Sequence, residues 1–175
     1  MKKCFCRAIA AAGLLAVSMG ANAGLIGATV DVTYYFPDQF SLYCGSGSAV
    51  VGAGVEYPSG CSGFSPVSID ISDSQLIVDT GGVGWSAGAF NGFLLSVLSG
   101  PAIVSATYDG GSMNVTALQI DNGNLWVNFA NQNGGRAVID FSTEASVPEP
   151  TALALLGLGL AGLATSRRRK PIVTR

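Results

Sequence analysis

The chain has 175 residues, with 9 Lys plus Arg, 11 Asp plus Glu, 24 glycines and no histidine, a length that suits one ordinary domain. The missing histidine excludes a Ser-His-Asp or Cys-His catalytic set, an imidazole metal ligand and a histidine general base. From Gly24 to Val147 there are eight Asp and two Glu against Arg136 alone, and this net charge of −9 argues against nucleic acid as a partner.

The chain begins with Lys2, Lys3 and Arg7, continues through an apolar run from Ala8 to Val17, and reaches Ala21, Asn22 and Ala23. That order predicts a secretory signal peptide over residues 1–23. The run would make about 15 Å of helix, too short for a hydrocarbon core of about 30 Å. Small residues at Ala21 and Ala23 suit a signal peptidase, which places the cut before Gly24. Cys4 and Cys6 leave with the signal.

Residues 24–147 are the expected exported domain. Helical periodicity is scarce, and short alternating runs replace it: Val30, Val32, Tyr34 and Phe36; Val67, Ile69 and Ile71; Leu125, Val127 and Phe129; Ala137, Ile139 and Phe141. About nine strands follow, at 28–36, 48–56, 66–71, 75–79, 92–98, 102–108, 113–120, 124–130 and 136–142. Turn clusters such as Asp109-Gly110-Gly111-Ser112 and Asp121-Asn122-Gly123-Asn124 separate them. Short connections predict antiparallel pairing, and the spacing favours an all-β sandwich, jelly-roll-like or Ig-like, with a barrel as second choice. Strand order is not legible from turns.

Cys44 and Cys61 are the cysteines left after signal removal, and export places them where a disulfide forms. Closing a loop of that size contributes about 3 kcal/mol, mainly through the unfolded chain. A redox or zinc role fits poorly without a Cys-x-x-Cys spacing or a histidine.

Beyond the domain come Pro148, Glu149 and Pro150, an uncharged Leu- and Gly-rich stretch from Ala152 to Ser166, and then Arg167, Arg168, Arg169 and Lys170. Residues 152–166 would make about 23 Å of helix, a short transmembrane span that needs bilayer thinning or snorkelling arginines. The basic cluster is expected to stay cytoplasmic, with 171–175 as a cytoplasmic tail and the domain on the periplasmic side of the inner membrane. The prolines hold their segment extended, as a protease requires.

In these elements and this order, residues 148–170 resemble the PEP-CTERM sorting signal of Gram-negative bacteria. The resemblance implies recognition by an exosortase, a membrane-embedded cysteine protease of bacteria that make exopolysaccharide, with a cut near Pro148 to Thr151. The same tail occurs on unrelated exported domains, some described as ice-binding, so it is an address and not an activity. A regular Thr-x-Thr repeat, which an ice-binding face needs, is missing. Signal peptidase and exosortase are therefore the expected processing partners, the inner membrane a way station, and the cell surface or extracellular matrix the destination.

Within the domain no catalytic residue is assigned. Asp70, Asp73, Asp79, Asp109, Asp121 and Asp140 offer the only paired carboxylates, and a glycan-active enzyme would have to use two of them. Each sits in a turn or alternates with buried residues, so a solvated face is preferred. Asp121, Asn122 and Asn124 are candidate oxygen ligands for calcium, the one cofactor considered, although a hairpin turn accounts for the same residues better. Trp126 and Asn128 share the strand face opposite Leu125, Val127 and Phe129 and are the candidate glycan contact. A second core under a loop is the competing reading of Trp126. Trp85, Tyr57 and Tyr108 are further aromatic candidates. The expected function is a non-enzymatic structural or binding role linked to exopolysaccharide or biofilm, with a carbohydrate-binding module and a glycan-active enzyme as alternatives.

Overall fold

The computed structural model describes residues 24–61 and 66–144. The expectations for Ala21 and Ala23, for the Pro148, Glu149 and Pro150 motif, for the 152–166 span, for Arg167 to Lys170 and for 171–175 lie outside the described residues.

Ten strands form: β1 Thr29–Tyr35, β2 Leu42–Val50, β3 Val55–Tyr57, β4 Ser68–Ile71, β5 Gln75–Asp79, β6 Gly92–Ser99, β7 Ile103–Gly111, β8 Ala117–Asp121, β9 Asn124–Asn128 and β10 Arg136–Thr143. They build two five-stranded antiparallel sheets, in the orders β2-β1-β6-β9-β8 and β3-β4-β5-β10-β7. The expected all-β sandwich is the fold. Among the described residues no helix is long and apolar enough to cross a membrane.

Two expected strands need correction. The run 48–56 is split, with β2 starting earlier at Leu42 and β3 set apart beyond Gly52 and Gly54. Glu56 occupies an irregularity in the β3–β4 register, and its carboxylate accepts from Gly52 N at 2.9 Å and Ile71 N at 2.7 Å. One side chain thus holds the loop end and the neighbouring strand together. The run 113–120 contracts to β8, because Met113 turns inward and its amide bonds Arg136 O at 3.0 Å.

Alternation places the core. Val30, Val32, Tyr34, Phe93, Leu95, Leu125 and Val127 face inward from one sheet, and Ile69, Ile71, Leu76, Val78, Ala137, Ile139 and Phe141 from the other. Burying each such side chain contributes about 1.5–3 kcal/mol. A cross-sheet hydrogen bond runs from Tyr57 Oη on β3 to Val30 O on β1, at 3.1 Å. Burial, with the nearby Asp31 charge adding to it, raises the Tyr57 phenol well above its ordinary value and keeps this donor neutral. The Cys44–Cys61 disulfide, with Cα atoms 5.3 Å apart, joins β2 to the segment after β3.

Between β5 and β6 the chain runs from Thr80 to Asn91 without strand structure. Two buried polar side chains fasten it. Thr80, 0 % exposed, exchanges hydrogen bonds with Gly135: its Oγ1 accepts from Gly135 N at 2.7 Å and donates to Gly135 O at 3.2 Å. Asn128, 8 % exposed, accepts from Asn91 N at 3.1 Å and Ala130 N at 2.9 Å through Oδ1, and donates from Nδ2 to Ala89 O at 3.3 Å. Gly92 then enters β6 against the β9 backbone, where a Cβ would collide with Val127 O. Alanine has no room there.

Replacing Asn128 with Ala strands three backbone groups at once and is expected to destabilise the domain by about 1–3 kcal/mol. Gly92→Ala, which must push β6 and β9 apart, is expected to lower stability by a similar or larger amount. Thermal melting of both variants measures the two effects; a change within about 0.5 kcal/mol would contradict the packing described.

Candidate functional site

Two concavities flank the Thr80–Asn91 segment. The first is a groove of about 320 Å³ on the outer face of the β2-β1-β6-β9-β8 sheet, whose lining includes Trp126, Gln119, Phe90, Asp38 and Phe40. Trp126 lies directly across from Gln119 on β8 and Leu94 on β6. Its indole is braced by Tyr35, with ring centroids 5.0 Å apart, and by Phe90, edge-on at 5.5 Å. Trp126 is half-buried on the outer face, and it also packs on an aromatic of the crossing segment.

Opposite stands a turn. Asp38 Oδ1 accepts from Phe40 N at 2.9 Å and Ser41 N at 2.8 Å, a local closure that leaves the Phe40 ring 95 % exposed at the groove. The Ser41 side chain and then the Phe40 amide hold the Asp38 carboxyl below its usual range. These bonds to the charged form are therefore kept above its ordinary value and lost as pH falls through the lowered one. No sequence signal singled out Phe40, since its exposure depends on the turn geometry and not on strand alternation.

Asn128 is placed otherwise than the face-sharing suggested. It lines the groove floor, but its amide is committed to Asn91, Ala130 and Ala89 as described above, so it braces the groove instead of offering a free amide to a sugar. Gln119 and Gln39 are the amides that remain along the lining.

The second concavity, of about 350 Å³, lies where β1 ends against the 83–86 loop. Among the described residues, five aromatic side chains line it, from Tyr34, Tyr35, Phe36, Tyr43 and Trp85, and no charged residue does. Trp85 is anchored through its amide to Gln132 O at 2.8 Å, and its indole stacks on Phe129 at 4.9 Å. Burial pushes the Tyr34 phenol far above its ordinary value, with the Ser46 hydroxyl offsetting part of the shift from outside hydrogen-bonding geometry.

Of the carboxylates considered for catalysis or calcium, Asp73, Asp79, Asp121 and Asp140 serve local structure. Asp73 Oδ1 accepts from Ile26 N at 3.2 Å, Asp79 Oδ1 from Gly81 N at 2.9 Å, and Asp140 Oδ1 from Gln75 Nε2 at 3.0 Å. The last of these ties β5 to β10. Asn122 and Gly123, with φ of 50° and 78°, form the two-residue β8–β9 hairpin loop. There Asp121 accepts from Asn122 Nδ2 at 3.0 Å, and Asn124 Oδ1 accepts from Val97 N at 2.9 Å. Among the described residues no group of three or more Cys, Asp or Glu converges as a metal site.

The sandwich thus presents aromatic concavities and, among the described residues, no cluster of three or more metal-ligating side chains, and its fold alone names no activity. No curated protein and no solved structure matches the chain. Residues 146–170 match the PEP-CTERM protein-sorting motif, so the chain carries a sorting tail that implies export and processing by an exosortase.

Proposed function

We propose that this chain is an exported cell-envelope or extracellular-matrix protein with a non-enzymatic role, whose β-sandwich binds exopolysaccharide through the groove around Trp126. The tail holds the protein in the inner membrane, with the domain on the periplasmic side, until exosortase releases it. The observation that carries the reading is the groove itself: a braced indole, an exposed phenyl ring across from it and amides along the lining. Sugars present apolar C–H faces to aromatic rings and hydroxyls to amides, and a half-buried, preorganised indole serves as an anchor at little entropic cost. The glycan-active alternative would need two converging carboxylates, and four of the six nominated for it, Asp73, Asp79, Asp121 and Asp140, accept hydrogen bonds from within the domain.

Trp126→Ala is expected to weaken retention of the protein on exopolysaccharide by about tenfold or more. The measurement is a pull-down on isolated polysaccharide, read beside a thermal melt. A folded variant with undiminished retention would reject the groove. Replacing Pro148 and Pro150 together with Ala is expected to leave export intact and to keep the tail uncut, seen as a larger, membrane-retained product by immunoblotting of fractions. Normal processing of that variant would remove the exosortase step from the proposal.

A further inference from the structure

The segment that leads into β1 is fixed to the turn between β4 and β5. Leu25 is fully buried, its amide donates to Asp73 O at 3.3 Å, and Ile26 N donates to Asp73 Oδ1 at 3.2 Å. Gly24 is one residue from that core anchor and has no slack to leave the turn. A Cβ on Gly24 would collide with the Asp73 carboxylate, so this position has room for glycine alone unless the carboxylate gives way.

The cut expected before Gly24 changes the chemistry of this residue. Water adds across the Ala23–Gly24 bond: the carbonyl carbon keeps an oxygen as carboxylate, and the nitrogen, now an amine, is protonated at neutral pH. The new ammonium is free to rotate about the Gly24 Cα–C bond. About a third of a turn brings it to the position a Cβ would occupy, which lies against the Asp73 carboxylate. Charge favours the same seat. From Gly24 to Val147 the net charge is −9, and Arg136, the only Lys or Arg of that stretch, stands opposite Asp79 at the far end of β5 from the turn.

We propose that signal removal creates a contact the precursor lacks: the α-ammonium of mature Gly24 binds the Asp73 carboxylate and clamps the N-terminal segment to the β4–β5 turn. The contact rests on the cut before Gly24 and is independent of the groove around Trp126.

Composition makes the contact readable. Residues 24–147 contain no lysine and no histidine, their two cysteines are joined, and ordinary tyrosines titrate at about 10, so the α-amine is the group of this stretch expected to titrate at about pH 8. The elements packed against residues 24–28 carry carboxylates besides: Glu56, bonded to Gly52 N, and Glu144, whose amide donates to Ala102 O, join Asp73 there, and the α-amine is the basic group among them. A seated ammonium holds its proton above the ordinary value. Its stabilisation is therefore complete below about pH 8 and is lost as the pH rises through the raised value.

The test uses the full chain, exported through its own signals and purified. Intact mass is expected to place the N-terminus at Gly24. The melting temperature is expected to fall by about 2–4 °C from about pH 7 to about pH 9.5. Asp73→Asn keeps an acceptor oxygen for Ile26 N while removing the charge, and acetylation of the α-amine removes the cation without changing the sequence. Each is expected to flatten the profile. A different first residue overturns the inference, as does a flat profile in the unmodified protein. So does a fall that survives acetylation, a result that holds whether or not Asp73→Asn folds. Loss of exopolysaccharide retention by Trp126→Ala bears on the groove alone.

Discussion

The arrangement depends on two buried polar side chains holding a strandless segment against the sheets. Thr80 locks its start to Gly135, and Asn128 locks its end to the β9 backbone. The connection is a surface loop, exposed at residues 81–84 and 86–89. Here the segment carries Phe90 into the groove and Trp85 into the second concavity, so both recesses share one support. A buried amide fully used by backbone partners is worth more as a specifier of geometry than as a ligand group. This is why Asn128 braces a site without forming its binding edge.

The sheets themselves were legible where alternation is strict. β5 has the predicted bounds 75–79, and β1, β4, β6, β9 and β10 fall within a few residues of theirs, because inward Val, Ile, Leu and Phe leave a period of two on the sequence. Alternation fades at the sheet edges. β2 reads LYCGSGSAV with no fully buried residue, and β8 buries Leu118 and Ile120 only halfway, so neither leaves a strong apolar pattern. The β3 break was hidden for another reason: Glu56 serves as a carboxylate bridge within what reads as a continuous Gly-rich run.

The site was legible in one residue and not in its surroundings. Trp126 could be placed on the outer face by counting from Leu125 and Val127. Phe90, Phe40 and Trp85 could not be placed that way, since they reach their positions through an Asx-type turn and through side-chain hydrogen bonds to residues 37 to 55 positions away. Such long-range ties leave no periodic trace. The Asp121–Asn124 turn was the converse case, where a local motif carried its own explanation as a hairpin.

Charge connects the domain to its surroundings. A sandwich with ten carboxylates and one guanidinium repels polyanions at long range, the more so at low ionic strength. For the proposed polysaccharide role this favours uncharged or weakly charged stretches of the polymer, with the aromatic groove making the contact. The recesses differ in this respect. The groove holds Asp38, kept ionised by its own turn, whereas no charged side chain lines the second concavity among the described residues. If the groove takes the polysaccharide as proposed, an acidic sugar is disfavoured there by repulsion from Asp38.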